Sequence, residues 1–317
     1  MTEPSAPRVV FMGTSDFAVR SLQALLDAQI PVIGVYTQPD RPKGRGKKLN
    51  APPVKELALE RDIPVFQPNR LRDPQAVQTV RDQHPDLIVV TSYGQILPQS
   101  VLDIPPLGCI NVHASLLPRY RGASPVNQAL INGEQVTGVT TMLMDAGLDT
   151  GAMLLSGELQ IDFEETAGQL EERLAQLGGE VLIETIHRLQ RGELSPRPQD
   201  NALSSYAPLL KKEDGLIDWS LPAMTLHNRV RGLDPWPGAF TRLRGVPLKI
   251  YRTLPVTLET EPEGVPGQVL SADSSGLCIL CGEGALLVRE AQLPGRNRLK
   301  IDDFLRGARI AAGEILS

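Results

Sequence analysis

Apolar residues in the first half of the chain fall into short continuous runs separated by segments of helical period. Arg8-Val-Val-Phe-Met12, Pro31-Val-Ile-Gly-Val-Tyr-Thr37, Ile63-Pro-Val-Phe66, Asp86-Leu-Ile-Val-Val-Thr91 and Gly108-Cys-Ile-Asn-Val112 read as buried strands. Between the first two, Ala18, Leu22, Leu25 and Leu26 repeat at helical spacing within 17–28, after the cap-rich turn Gly13-Thr-Ser-Asp16. Helices are expected over Val54–Arg61, Pro74–Gln83 and 124–132. Strands are expected over 138–144 and 152–161, and a long amphipathic helix over Glu164–Gln190. Strand–helix alternation of this kind predicts an α/β fold, a Rossmann-like, mostly parallel sheet with helices on both faces. Ligands of such sheets bind beyond the carboxyl ends of the strands.

The pattern changes after residue 190. Residues 191–211 are polar, proline-bearing and aperiodic, which marks a linker. Beyond a helix near Pro222–Arg231, short apolar runs alternate with Gly/Pro turns: Ala239–Leu243, Leu248–Tyr251, Gly267–Leu270, Gly276–Leu280 and Ala285–Ala291. That pattern predicts a smaller antiparallel β-barrel, closed by a helix near 301–314. The expected organisation is one domain over 1–190, a linker over 191–211 and a second domain over 212–317.

Composition narrows the class. Hydrophobic residues make up 41% and charged residues 22% of 317, an ordinary soluble balance with length for about two domains. No run approaches the ~20 apolar residues of a membrane span. The N-terminus lacks the basic and apolar regions of a signal peptide, so a cytoplasmic protein is expected. Three cysteines cannot all pair. Cys278 and Cys281 lie in a strand-like run where an offset of three separates their faces, so structural thiols and no metal site are expected. Net charge is −5, with 18 basic and 24 acidic side chains in 1–210 against 14 and 13 in 211–317. Any RNA binding must therefore use local basic patches. A nicotinamide dinucleotide is disfavoured, because Gly13-Thr-Ser-Asp-Phe-Ala18 replaces two glycines of the G-x-G-x-x-G turn, and Ser15 blocks close approach to a pyrophosphate.

Candidate chemistry sits at the end of the Gly108–Val112 strand. At a period of two, Asn111 and His113 share one side. An isolated Asn-x-His is more commonly a capping amide and a satisfied buried imidazole. Side by side at a strand end, however, an amide donor and a titratable imidazole suit acyl transfer: one stabilises an oxyanion, the other moves a proton. The segment Asp145-Ala-Gly-Leu-Asp-Thr-Gly151 carries Asp149, which reads equally as a turn residue. Arg121 reads equally as a substrate contact or a strut.

The surrounding motifs decide between these readings. Asn111-Val-His-Ala-Ser-Leu-Leu-Pro-Arg-Tyr-Arg-Gly122 followed by Asp149-Thr-Gly151 resembles the folate-dependent formyltransferase family. The likeness extends to Phe11-Met-Gly-Thr-Ser-Asp-Phe17, Thr37-Gln-Pro-Asp-Arg-Pro-Lys-Gly-Arg-Gly-Lys-Lys48, Ser92-Tyr-Gly-Gln-Ile-Leu-Pro98 and Arg231-Gly-Leu-Asp-Pro-Trp-Pro-Gly-Ala-Phe240. It implies 10-formyltetrahydrofolate as formyl donor, Asn111 and His113 as catalytic residues, and Asp149 holding His113 and positioning a water. Ser115, Leu116, Leu117 and Pro118, with Tyr93, Gly94 and Ile96 on the neighbouring turn, would form the folate pocket. The second domain would be an OB-like barrel that holds nucleic acid. The implied acceptor is the α-amine of initiator methionyl-tRNA; a nucleotide-linked amino sugar or other small amine is the alternative. A monomer is expected.

Residues 40–48 bear on that choice. They hold five positive charges and one negative, and their two glycines and proline forbid a regular helix. A charge run is ordinarily a solvated loop. This one follows a sheet strand toward the expected active edge, where Arg41, Lys43, Arg45, Lys47 and Lys48 would grip RNA phosphates. Arg45, between two glycines, has the greatest reach.

Overall fold

A computed structural model describes residues 6–43, 48–259 and 263–317. In chain order the first half gives β1 (Val9–Gly13), α1 (Asp16–Asp27), β2 (Val32–Tyr36), β3 (Arg41–Lys43), β4 (Lys48–Asn50), α2 (Pro53–Glu60), β5 (Val65–Phe66) and α3 (Pro74–Asp82). There follow β6 (Leu87–Thr91), α4 (Gln99–Leu102), β7 (Cys109–His113), β8 (Arg121–Gly122), α5 (Pro125–Ile131), β9 (Val136–Leu143), β10 (Met153–Gln160) and α6 (Ala167–Gln190). The buried runs read from the sequence are these strands, shifted by a residue or two.

The main sheet has seven strands in the order β10-β9-β7-β6-β1-β2-β5. Pairing is parallel for β1 with β2 and β6, for β2 with β5, and for β6 with β7. β9 runs antiparallel to β7, opposing Met142 to Asn111 and Thr140 to His113. Alternation along β1 explains the two covered faces. Val10 and Met12 pack with Ile88, Val90 and the α3 residues Val77 and Val80 in one core cluster. Phe11 points the other way, and a Cβ on Gly13 would meet its ring at 2.6 Å and Ala18 of α1 at 2.8 Å. Gly13 is thus a close-packing glycine between strand and helix. On α6, Gly178 and Gly179 let the helix lie against Val112 and Ala24.

The chain forms two compact units. One is Met1–Gly122, Thr137–Leu159 and Glu171–Tyr206; the other is Ala123–Val136, Gln160–Leu170 and Ala207–Ser317. The division is therefore not the single cut expected at 191–211, since two short segments from the first half join the C-terminal unit. Contacts with α7 (Ala223–Gly232) give the reason. Asn127 of α5 donates to Gly232 O at 2.8 Å, and a Cβ on Gly232 would stand 2.8 Å from Ile131. From α7, Arg231 donates to Asp162 O at 3.2 Å and His227 Nε2 to Phe163 O at 3.0 Å.

Within the C-terminal unit the expected barrel strands assemble as two four-stranded antiparallel sheets over one core, which includes Trp219, Leu226, Leu248, Leu277 and Leu286. The final helix is shorter than expected, Ile301–Ala308, and ends where Arg309 turns left-handed at φ 45°. Cys278 is half-buried and Cys281 buried, both as free thiols. No helix among the described residues is long and apolar enough to cross a membrane.

Candidate active site

β7 ends at the carboxyl edge of the parallel strands and brings Asn111 and His113 to the same side, as strand alternation requires. Asn111 Nδ2 donates to Asp149 Oδ1 at 3.3 Å. His113 Nδ1 lies 3.7 Å from Asp149 Oδ2, and the two side chains are only 7% and 12% exposed. Asn111 and His113 thus meet a carboxylate that lies 38 residues beyond Asn111 in sequence.

The tautomer of His113 follows from its other nitrogen. Nε2 stands 2.9 Å from the carbonyl oxygen of Tyr120. A carbonyl only accepts, so Nε2 carries the hydrogen and Nδ1 is the basic atom of the neutral ring. That basic atom faces Asp149 across a gap slightly too long for a direct hydrogen bond. A proton arriving on Nδ1 is met by a carboxylate.

Asp149 is held in place rather than free. Its Oδ2 accepts the Gly122 N–H at 2.9 Å, and its backbone is left-handed at φ 53°. The turn role and the site role fall to different aspartates: Asp145 Oδ1 accepts from Gly147 N–H at 3.0 Å and Thr150 Oγ1 at 2.7 Å. Gly151 permits the turn, because a Cβ there would lie 1.7 Å from Leu143 O.

Sequence reasoning missed the residue that clamps this turn. Gln199, inside the segment read as a linker, donates from Nε2 to both Asp149 O and Gly151 O at 2.8 Å. Its Oε1 accepts Arg121 Nε at 2.9 Å, and a second Arg121 nitrogen donates to Asn201 Oδ1 at 3.0 Å. Arg121 is therefore a strut. The only sequence signal for Gln199 is its polarity, which it shares with every neighbour.

The expected folate residues divide into two groups. Ser115 is fully buried, with Oγ donating to Arg119 O at 2.7 Å; Leu117 and Tyr93 are also buried. These three side chains pack beneath the turns, so their part in a folate pocket would be to shape the backbone above them. Hydrophobic burial claims Tyr93 and Leu117, and the turn's own carbonyl claims Ser115. Leu116 and Pro118 are half-buried, Gly94 is exposed at φ 80°, and Ile96 is 87% exposed. Gln95 ties the Ile96 turn down by accepting Leu71 N–H at 2.7 Å and donating to Pro68 O at 2.9 Å. Because β6 pairs with β7 at Val90–Asn111, this turn and the Asn111 end are neighbours at one edge. Exposed backbone plus Ile96, Leu116 and Pro118 is what the edge offers a flat heterocycle.

The basic segment 40–48 begins as a hairpin, β3 with β4, in register Arg41–Asn50. Asp40 anchors its base, accepting both Lys55 Nζ at 2.8 Å and Gln67 Nε2 at 2.7 Å; these hydrogen bonds, Gln67's first, hold its carboxyl below the usual range. Its one negative charge is thereby neutralised. Arg41 is exposed and donates to Gln38 Oε1 at 3.2 Å. Arg45 and Lys47 lie outside the described residues, as do the side chains of Lys43 and Lys48.

Known proteins match this chain along nearly its whole length. The formyl transferase family model covers residues 7–186, and the formyl transferase C-terminal domain model covers 209–309. A methionyl-tRNA formyltransferase of Pelobacter propionicus is 55% identical over 98% of this chain and 97% of its own. Among solved structures, WlaRD, a sugar 3N-formyl transferase solved with dTDP and 5-N-formyl-THF, shares 19% identity. Its TM-score is 0.64, covering 93% of this chain and 100% of that one. HypX from Aquifex aeolicus with tetrahydrofolic acid shares 20% at a TM-score of 0.62, covering 96% of this chain and 48% of that one. At these identities the two structures show a shared fold.

Proposed function

The chain belongs to the formyl transferase family, and on that premise we propose that it moves a formyl group from 10-formyltetrahydrofolate to the α-amine of methionyl-tRNA. The observation that carries the chemistry is the convergence of Asn111, His113 and Asp149 on one strand end. The acceptor follows from the methionyl-tRNA formyltransferase matched at 55% identity over 98% of the chain. The basic hairpin supports it, since a small amine needs no such arm.

The residues supply what the reaction needs. The amine must attack as the neutral base, forming a C–N bond and an oxyanion on the former formyl oxygen. The Asn111 amide keeps one N–H beyond the bond to Asp149, and this donor stabilises the oxyanion. The proton shed by the amine goes to His113 Nδ1, directly or through one water, and Asp149 stabilises the resulting imidazolium. When the tetrahedral carbon collapses, the bond to folate N10 breaks and the proton held on His113 passes to N10 as it leaves. Tyr120 O and the Gln199 clamp hold the imidazole and carboxylate in register throughout.

The test is product identity. The purified chain is incubated with 10-formyltetrahydrofolate and either methionyl-tRNA or a nucleotide-linked amino sugar. Formylated methionine released from the tRNA is expected; formylation of the sugar alone would replace this reading with the alternative.

A further inference from the structure

Asp234-Pro235-Trp236-Pro237-Gly238 forms a turn in the C-terminal unit directly after α7. It is held from several directions. Gly238 N–H donates to Leu233 O at 2.9 Å, and Gly168 N–H to Asp234 O at 3.1 Å. Arg298 donates to the Asp234 carboxylate at 3.1 Å and Lys249 Nζ to Pro237 O at 3.4 Å. Two prolines restrict φ on either side of the tryptophan. Yet the largest side chain of this rigid turn is 55% exposed, whereas Trp219 is 5% exposed. Phe163 is exposed to a similar degree but stacks on His227, with centroids 4.8 Å apart. Among the described residues no ring contact covers Trp236. A tryptophan on so restrained a backbone loses little further main-chain entropy when a partner covers it.

The charge beside it is specific. Lys249 runs along the turn, and a Cβ on Gly238 would stand 3.2 Å from its Nζ. Among the described residues that ammonium has a backbone carbonyl as acceptor and no carboxylate partner. Arg298, stacked on Tyr251 at 4.0 Å, is instead neutralised by Asp234 and Glu290. An exposed π face on a turn that also seats one uncompensated cation matches one unstacked nucleotide, with its base on the indole and its phosphate on the ammonium. An acidic peptide would use the cation and leave the indole bare.

We propose that Trp236 and Lys249 form a stacking site for one unstacked nucleotide of the RNA substrate. This rests on the reading of the chain as a tRNA-formylating enzyme, and it places one grip on the acceptor in the C-terminal unit.

The test uses the full chain and methionyl-tRNA. With Trp219 buried, acrylamide quenching of the two tryptophans reads mainly Trp236. Saturating tRNA is expected to protect that fluorescence. Trp236→Ala is expected to weaken tRNA binding about 5- to 140-fold, the range for loss of one stacked base. Trp236→Phe should keep most of the affinity, and Lys249→Gln should flatten the salt dependence by about one unit. Folate binding should be unchanged in all three. Wild-type tRNA affinity in Trp236→Ala, with tRNA still formylated, would overturn this inference alone. Protection that rises with protein concentration without RNA would assign the surface to a second copy and also overturn it. No binding of tRNA by the wild type would overturn both this inference and the proposed function.

Discussion

Replacing Gln199 tests whether the site depends on a clamp outside its own motifs. Gln199→Leu keeps the bulk but removes two donors to Asp149 O and Gly151 O and the acceptor for Arg121. Each neutral bond contributes about 0.5–1.5 kcal/mol and a guanidinium-assisted one about 1.5–3 kcal/mol. Gln199 is half-exposed, so water replaces part of this, and a stability loss of about 2–3 kcal/mol is expected. The effect on rate should be larger than that suggests. Asp149 is a left-handed residue whose carboxylate must face both Asn111 and His113, and a misplacement of about 1 Å costs about 100-fold. Single-turnover formylation of methionyl-tRNA, with thermal melts alongside, separates the two effects. Gln199→Glu is the control: it keeps the size and the Arg121 contact but loses both donors and sets a carboxylate oxygen against two carbonyls, so turnover should fall together with about 1–3 kcal/mol of stability. A Glu variant with wild-type turnover would refute the clamp, because the two carbonyl contacts would then be dispensable.

Three further outcomes follow from particular contacts. Gly151→Ala places a Cβ where Leu143 O stands 1.7 Å away, so the Asp149 turn must move; a loss of about 1–3 kcal/mol and of most turnover is expected in melts and rate assays. His227 is held below its ordinary pKa of 6.5, chiefly by burial, so the unfolded state binds the extra proton first. Its contribution to stability is complete above pH 6.5 and is lost as pH falls toward the depressed folded value; melting from pH 7.5 to 5 should show less acid loss in His227→Gln than in wild type. Arg45→Ala should weaken productive use of tRNA and flatten its salt slope by about one unit while folate binding is unchanged, and identical slopes would make 40–48 an ordinary solvated loop.

The fold was legible where physics is local. Runs such as Leu87–Thr91 announce a strand buried on both faces, and the Asn111–His113 spacing fixes a shared side once the strand is known. Long-range choices were not legible. Nothing in 124–132 says that Ile131 packs against Gly232, so the helix read as part of the sheet domain belongs to the other unit. Tyr93 sits in a motif that pointed to a ligand wall, and its ring is buried; the motif alone does not tell a side chain on the surface of a turn from one packed beneath it. Gln199 was hidden for the opposite reason: in an aperiodic polar segment, one amide that completes a turn 50 residues away looks like solvent-facing polarity.

The claim that Asn111, His113 and Asp149 carry formyl transfer is tested most directly by the single-turnover rate of methionyl-tRNA formylation at saturating 10-formyltetrahydrofolate. His113→Ala should lower that rate by about 100- to 10,000-fold, the usual contribution of a positioned general base, while folate binding stays at the wild-type level. A His113→Ala chain that formylates methionyl-tRNA at the wild-type rate would contradict the account.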